Sequence, residues 1–283
     1  MPQKMSFTID VEDIRTSSDQ QYRVRLNVDR VLTWLHDRGV IGTAFIVGTL
    51  AESDPSLVRA IVDAGHEVGL HSWTHTAIEK HSPLDFGRDI KKGRELLQDI
   101  SGQPVNGFRA PFMSLTARTP HAPEQIAGAG FMYSSSVLPA ASPLFGLPGA
   151  PTTPFLWECG LLELPCPVTR IGPLTIPFLG GTYIRLLPRI ITMRALRRQD
   201  EESVMWTYCH PWDFDLEERF RQYPETGFVT SILCFRGRRR MFPQLGAIIN
   251  DLDCSSLSEI ASGLLAPNAT PLSMFSIAGR DAA

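Results

Sequence analysis

The sequence lacks the features that mark membrane-spanning, secreted and disulfide-rich proteins. It has no apolar run long enough to cross a bilayer, and its first residues, MPQKMSFTIDVED, contain no apolar signal segment and no small-residue cleavage site. Its five cysteines show no CxxC spacing, and an odd number fits reduced thiols better than a disulfide framework. We therefore predict a cytoplasmic protein without a membrane span.

The chain also lacks a strong net charge. Its 27 lysine and arginine residues nearly balance 30 aspartate and glutamate residues, for a formal net charge of -3. This balance gives no overall electrostatic reason to expect nucleic acid or an anionic membrane as the partner, so a small or neutral substrate is favoured. With 283 residues, 43% of them hydrophobic, the chain can bury one large core.

Strand-like runs alternate with helix-like segments through the first part of the chain. The predicted strands are MSFTIDV, GTAFIVG, HEVGLHS and VNGFRAP. Between them lie amphipathic segments, two of which begin at good N-cap residues, Asp54 and Ser82. This alternation predicts an α/β fold built on a parallel sheet, and an open doubly wound sheet and a barrel are both compatible with it.

The rest of the chain indicates one domain rather than two. LPAASPLFGLPGAPTTP predicts a long surface loop, and strand-like runs return at LLELPCPV and VMWTYCHPW. No internal repeat or low-complexity tract interrupts the sequence. We expect a single folded domain over residues 1–266 and a flexible C-terminal tail over residues 267–283.

Chemically reactive side chains recur where the predicted strands end. TIDVED contains three carboxylates, and GLHSWTH contains two histidines four residues apart. FRAPF contains an arginine, and TYCHPW contains a histidine. Ligand sites of parallel α/β folds gather at the carboxyl ends of strands, so these side chains are expected to share one pocket. They are Asp10, Glu12, Asp13, His71, His75, Arg109 and His210.

Each of these motifs, taken alone, has an ordinary structural explanation. A single HxxxH pattern more often marks two surface histidines than a metal site, and an acidic DVED is typical of a solvated turn. Together the motifs favour a functional site over separate surface residues. Two imidazoles and a carboxylate form the ligand set of a catalytic zinc site with an open position for water.

The motifs together resemble those of a known family. TIDVED, HSWTH, FRAPF and YCHPW occur in the order found in the NodB-homology polysaccharide deacetylases, carbohydrate esterase family 4. DVED, SGQPVNGFRAPFMSL and GGTYIRLLP resemble in particular the subgroup found with bacterial exopolysaccharide loci. The resemblance implies a single-domain, distorted (β/α) barrel. It also implies a metal-dependent hydrolase that removes an N-acetyl group from an amino sugar in a polysaccharide, oligosaccharide or small glycoside.

The resemblance further implies a metal site. His71 and His75 match the two histidines of the family's HSxxH motif, and a carboxylate of DVED supplies the third ligand. Because family members use aspartate, we assign Asp13 to the metal, with Glu12 as a supporting group and as the alternative ligand. Zinc is the expected ion, and cobalt, nickel and iron also suit these ligands.

The same correspondence implies catalytic roles. Asp10 is expected to act as the general base, oriented by Arg109, and His210 as the general acid. The backbone N–H of Phe112 is expected to stabilise the oxyanion. The acid that orients His210 is not identified by the sequence, which leaves three candidates: Asp213, Asp215 and Glu163.

The substrate site is less sharply predicted. Trp73, Phe112 and Trp212 lie beside the motifs and are candidate apolar walls for a sugar ring, although core packing explains such aromatic residues equally well. The run RGRRR at 236–240 suggests a phosphate-bearing substrate such as a lipid-linked or nucleotide sugar, but a solvated helix face explains it better.

Two other functions compete with the deacetylase. One is a related hydrolase of a ring amide or ureide, and the other is a non-catalytic carbohydrate-binding relative. A non-catalytic relative is expected to have lost a ligand or the general acid, so the presence of His71, His75, Arg109 and His210 counts against it.

Overall fold

One sheet of mostly parallel strands organises the fold. The computed structural model describes residues 4–13, 20–223, 227–250 and 252–277. Ten of its strands share this sheet, and two others, β8 and β9, form a separate antiparallel hairpin. In chain order the strands are β1 (Lys4–Val11), β2 (Gly42–Ile46), β3 (Glu67–Leu70), β4 (Gly107–Phe108), β5 (Tyr133–Ser134), β6 (Phe155–Trp157), β7 (Leu162–Glu163), β8 (Val168–Ile171), β9 (Leu174–Pro177), β10 (Met205–Trp206), β11 (Asp253–Cys254) and β12 (Ser273–Phe275).

The order of the strands identifies a singly wound, incomplete barrel. Along the sheet the order is β10-β1-β2-β3-β4-β5-β7-β6-β12, with β11 added at the start of β1. The consecutive order from β1 to β5 excludes a doubly wound sheet, in which the order reverses next to the first strand. Among the described residues β10 and β12 do not pair with each other, so the barrel is open there. The fold is thus the distorted (β/α) barrel that the family resemblance implies.

Helices occupy most connections between the strands. They are α1 (Gln20–His36), α2 (Gly48–Ser53), α3 (Pro55–Asp63), α4 (Pro83–Ser101), α5 (Ala122–Gly128), α6 (Gly181–Leu186), α7 (Arg189–Leu196), α8 (Gly227–Phe235), α9 (Met241–Ile249) and α10 (Leu257–Leu264). Both predicted N-caps are confirmed, because Asp54 accepts a hydrogen bond from the Leu57 N–H and Ser82 accepts one from the Asp85 N–H. None of the described helices is long and apolar enough to cross a membrane.

The side chains of β1 alternate between two environments. Phe7 and Ile9 belong to the main hydrophobic core, which α1 helps to form. Thr8 and Asp10 point the other way, into the barrel, where both accept hydrogen bonds from Arg109. Successive side chains of a strand face opposite sides, so a strand buried on both faces can line an apolar core and a polar interior at once.

The folded structure continues past residue 266, where the sequence analysis ended the domain. β12 pairs in parallel with β6, and Phe275 packs against Phe155 and Trp157 with ring centroids 5.2 and 5.5 Å away. Burial of an aromatic ring therefore holds part of the predicted tail in the sheet. Residues 278–283 of that tail lie outside the described residues.

The predicted surface loop LPAASPLFGLPGAPTTP is only partly a surface loop. It contains no helix or strand among the described residues, as expected from its proline and glycine content. Leu147 and Ala150 are nevertheless buried in the main core, so the loop is fixed against the barrel.

The packing of β12 predicts a measurable contribution to stability. Phe275→Ala should lower the free energy of unfolding by about 3 kcal/mol, the usual cost of removing a buried aromatic ring. Urea unfolding followed by circular dichroism would measure this loss. Met274→Ala is the matched control, because Met274 is 66% exposed on the same strand and should change stability by less than about 0.5 kcal/mol. Equal effects of the two substitutions would contradict the docking of β12.

Candidate active site and metal centre

Two loops with an unusual backbone carry much of the candidate site. In the loop after β3, Ser72 and His75 have φ angles of 64° and 54°. In the loop after β4, Phe112 and Met113 have φ angles of 59° and 55°. Among the described residues these are the only non-glycine residues with positive φ, a conformation that costs each of them roughly 1–2 kcal/mol. Backbone strain of this kind is typical of functional sites.

Glu12 is the carboxylate that meets the two histidines. Its Oε2 atom lies against His75 Nε2 and 3.6 Å from His71 Nε2. The ligand atoms of these three residues all lie within 4.8 Å of one another. Asp13 is half-buried and does not belong to this group, although the sequence analysis assigned it to the metal.

The end of β1 explains why Glu12 takes this place. Asp10 and Glu12 are two residues apart, so both side chains face the interior of the barrel while the one between them faces the core. The Glu12 N–H donates to the Asp10 carbonyl at 3.1 Å, so the chain turns at Val11, the last residue of β1, and brings Glu12 to the histidines. Asp13 follows this turn and lines a neighbouring cavity with Thr49 and Thr74.

The protonation of His71 suits a metal ligand. Its Nδ1 atom lies 2.9 Å from the Arg109 carbonyl oxygen, which can only accept, so Nδ1 carries the proton and Nε2 is free. Burial lowers the pKa of His71 to about 3, which keeps the ring neutral. Metal-binding histidines commonly donate their second ring N–H to a carbonyl or carboxylate in this way.

Glu12 is charged and lacks a hydrogen bond that would satisfy it. Burial favours its neutral form, but the charge and hydrogen-bond interactions of His75, together with the charge of His210, outweigh burial and leave the pKa of Glu12 below its ordinary value. Its Oε2 atom is buried and accepts no hydrogen bond. Two imidazoles and a carboxylate are the donors of catalytic zinc sites, so the residues present fit a divalent metal.

Asp10 is held in place by a buried arginine. Arg109 is fully buried and donates from Nη1 to Asp10 Oδ1 at 2.6 Å and to Thr8 Oγ1 at 2.7 Å. Its guanidinium lies between the rings of Phe45 and Trp206, with Cζ 4.1 and 4.2 Å from the two ring centroids. The Asp10 carboxylate therefore has one fixed orientation beside the cluster of Glu12 and the histidines.

His210 approaches the same cluster from the second half of the chain. Its Nε2 atom lies 3.6 Å from Glu12 Oε1, and its ring stacks on Trp212 at 4.4 Å between centroids. Its Nδ1 atom lies 3.2 Å from Asp213 Oδ2. Burial lowers the pKa of His210, but the hydrogen bond and charge of Asp213 more than compensate and raise it to about 8. His210 is therefore protonated at neutral pH.

Of the three acids considered for orienting His210, Asp213 is the one in contact with it. Asp215 instead pairs with Arg23, and Glu163 accepts hydrogen bonds from two backbone N–H groups after β5. These contacts distinguish Asp213 from the other two candidates, a choice that the sequence alone did not allow.

Helix α6 carries an arginine that pairs with Asp213. Arg185 Nη2 lies 2.9 Å from Asp213 Oδ1, and both side chains are completely buried. Burial raises the pKa of Asp213, but Arg185 and His210 outweigh it and leave this pKa below its ordinary value. A Cβ atom on Gly181 would lie 1.8 Å from Asp213 Oδ2, so only glycine lets the helix approach this closely. Sequence analysis missed Arg185, although it lies within GGTYIRLLP.

A cleft with aromatic and aliphatic walls opens above these groups. Phe112 is 51% exposed and stacks on Phe145, with 6.1 Å between ring centroids. Leu138 and Tyr183 line the cleft as well. Among the described residues none accepts a hydrogen bond from the Phe112 N–H, which leaves this donor available to a ligand.

The two tryptophans predicted as sugar-binding walls do not line this cleft. Trp73 is buried, with Lys92 Nζ 3.5 Å from its ring centroid and the backbone of Gly48 packed against its face. Trp212 is also buried and contacts His210 instead. Core packing, the other explanation of the two tryptophans, is what the structure shows. Phe112 and Phe145 are the exposed aromatic residues of the cleft.

Comparison with solved structures identifies the fold. The chain superimposes on a protein from Mycobacterium smegmatis, described as a "putative polysaccharide deacetylase", with a TM-score of 0.66 and 21% identity. That match covers 96% of this chain and 93% of the other. Puue allantoinase has a TM-score of 0.59 at 13% identity, with 95% of this chain and 92% of the other covered. At these identities the similarity concerns the fold alone.

Comparison of sequences finds family models that match two successive segments of the chain. Residues 8–129 match the "Polysaccharide deacetylase" family and residues 135–262 match a "Domain of unknown function (DUF3473)". The peptidoglycan-N-acetylglucosamine deacetylase of Bacillus cereus is 29% identical over 83 residues, which are 29% of this chain and 30% of that relative. The match thus spans less than a third of the relative's length. The matched residues 8–129 include the whole cluster of Glu12, His71 and His75, so the segment that carries this cluster is similar to the polysaccharide deacetylase family.

Proposed function

We propose that the protein is a metal-dependent N-deacetylase that hydrolyses the acetamido group of an N-acetylated amino sugar. One observation carries this proposal. The Glu12 carboxylate and the imidazoles of His71 and His75 converge at one place. This cluster lies between an aspartate that Arg109 holds in place and a protonated histidine. Several curated relatives are named as deacetylases of peptidoglycan, chitin or chitooligosaccharide, which supports an amino-sugar substrate.

Glu12, His71 and His75 would hold the metal. Zinc is the ion we propose, because neutral imidazoles and a carboxylate are its usual catalytic ligands, and cobalt, nickel and iron are alternatives. A divalent ion bound there would polarise the acetyl carbonyl and lower the pKa of water. Asp10 is not one of these three ligands. Its carboxylate can therefore take a proton from the attacking water.

The remaining groups divide the other steps of amide hydrolysis. Asp10 acts as the general base, and Arg109 fixes the direction of its carboxylate. The Phe112 N–H donates to the oxygen of the acetyl group as negative charge develops there. His210 donates the proton that lets the amine leave, since it is protonated and approaches the cluster from another side.

The test of the function is an acetate-release screen. The purified protein should release acetate from at least one N-acetylated monosaccharide, oligosaccharide or nucleotide sugar, and metal analysis should find a bound divalent ion. Ring ureides are included as substrates. Hydrolysis of a ureide without acetate release from any sugar would replace the proposal by the related ring-opening hydrolase. The cytoplasmic location is still only a prediction from the sequence.

The first prediction for this site concerns its carboxylate ligand. Glu12→Gln should weaken metal binding by at least about 10–100-fold, because it removes the carboxylate that contacts both histidines. Asp13→Asn should keep the affinity within a few fold of the wild type. Isothermal titration of each metal-free variant with zinc measures this difference. The reverse result would restore the assignment of Asp13 that the family pattern suggests.

The second prediction separates the base from the ligands. Asp10→Asn should bind the metal as the wild type does and lose about 10²–10⁴-fold in kcat, because the amide cannot accept the proton. His71→Ala should instead lose both metal and activity. Metal content is determined on the same samples as the rates. If Asp10→Asn lost its metal, Asp10 would have to be counted among the ligands.

The third prediction concerns the pH dependence of kcat/KM. His210 acts in its protonated form, so activity should fall as the pH rises through the pKa of His210, which the Asp213 carboxylate raises. Asp213→Asn removes that charge and should move this basic limb to lower pH. Asp215→Asn is the matched control, since Asp215 is equally buried but pairs with Arg23. A basic limb at the wild-type pH in Asp213→Asn would remove Asp213 from the mechanism.

A further inference from the structure

Helix α8 presents an apolar face to solvent. Phe228, Val229 and Leu233 are 57%, 70% and 37% exposed, and their spacing places them on one side of the helix. Ser231 and Cys234, on the opposite side, are buried against the protein. One side of the helix therefore packs against the protein, whereas no described residue covers its exposed apolar side.

The exposed face extends beyond the helix. Phe220, in the preceding segment, is 53% exposed and packs edge-on against Phe228 with 6.4 Å between ring centroids. Single exposed apolar residues are common on soluble proteins, whereas a contiguous aromatic and aliphatic patch marks an interaction surface. We call Phe220, Phe228, Val229 and Leu233 the α8 patch.

Exposed arginines border the α8 patch. The Arg236 N–H donates to the Ile232 carbonyl at 2.9 Å, so the helical turn continues and Arg236 follows Val229 and Leu233 along the same side. Arg219 directly precedes Phe220, Arg239 and Arg240 follow α8 closely along the chain, and all three are exposed. No described carboxylate pairs with any of these four guanidinium groups. The sequence analysis favoured a solvated helix face for RGRRR, and among the arginine side chains of this run the buried one, Arg238, forms an ion pair with Glu218.

The acidic residues of this region are already engaged. Glu217 pairs with Arg30, and Glu218 pairs with Arg238 at 3.1 Å and with Arg221 at 3.4 Å. Glu225 lies outside the described residues. The border of the α8 patch is therefore locally positive, although the whole chain has a formal net charge of -3.

We propose that the α8 patch docks this protein on a membrane surface that contains anionic phospholipid. The apolar side chains would enter the boundary between headgroups and acyl chains, and the arginines would contact lipid phosphates. A second copy of this chain fits less well, because a two-fold symmetric contact through this patch would bring identical positive borders together. A free phosphate would leave the apolar side chains exposed. This inference does not depend on the proposed function.

Vesicle sedimentation tests the proposal directly. The wild-type protein should sediment with vesicles of phosphatidylcholine and phosphatidylglycerol, should not sediment with phosphatidylcholine alone, and should be released as salt screens the charges. The double variants Phe228→Ser with Val229→Ser, and Arg236→Gln with Arg239→Gln, should each bind the anionic vesicles about tenfold or more weakly.

A matched control uses an exposed apolar and basic pair elsewhere. Leu84 is 82% exposed and the Arg88 side chain 73% exposed, both on α4, so Leu84→Ser with Arg88→Gln should bind vesicles as the wild type does. Thermal unfolding of every variant shows whether it is folded.

Three results would overturn the proposal. They are absence of binding to anionic vesicles, equal binding to both kinds of vesicle, and equal loss of binding in the α4 control. Sedimentation velocity measures whether the protein forms a dimer through the α8 patch instead. If the protein dimerised, failed to bind vesicles and became monomeric on Phe228→Ser with Val229→Ser, the patch would be an interface between copies.

Discussion

The buried guanidinium of Arg109 is the interaction on which the rest of the site depends. Its side chain donates to Asp10, Thr8 and Ser135, while its backbone carbonyl accepts a hydrogen bond from the His71 Nδ1–H group. Removing an arginine from water costs several kcal/mol unless the charge is paired and its donors are used. The polar side of β1 and two aromatic rings provide part of this compensation, while Nη2 is buried without a hydrogen-bond partner. The same residue orients both the candidate base and a candidate ligand.

The pairing of β10 with β1 joins the two halves of the site. The Asp10 N–H donates to the Cys209 carbonyl at 2.8 Å, which places His210 directly beside the end of β1. The segment matched by the deacetylase family thus supplies the carboxylates and the candidate metal-binding histidines, while the DUF3473 segment supplies His210. Neither segment alone contains both the candidate base and the candidate acid.

Local signals in the sequence were sufficient for much of the fold. The caps at Asp54 and Ser82 and the histidines after β3 depend on residues a few positions apart, so patterns in the sequence identified them. The choice between Glu12 and Asp13 depends on where the chain turns after β1, and no pattern in DVED specifies that turn. The roles of Trp73 and Phe275 depend on distant partners, Lys92 and Phe155, which a single sequence does not reveal.

A surface element and the candidate acid are linked through one buried side chain. Arg185 donates to the carbonyls of Leu233 and Arg236 at the end of α8, and on its other side it pairs with Asp213, which contacts His210. The link uses backbone carbonyls of α8 rather than its exposed side chains. A change in the position of α8 would therefore reach His210, whereas replacement of exposed side chains on the helix leaves the hydrogen bonds of Arg185 intact. The same helix can thus present a binding surface on one side and support the acid on the other, with the two roles separable by substitution.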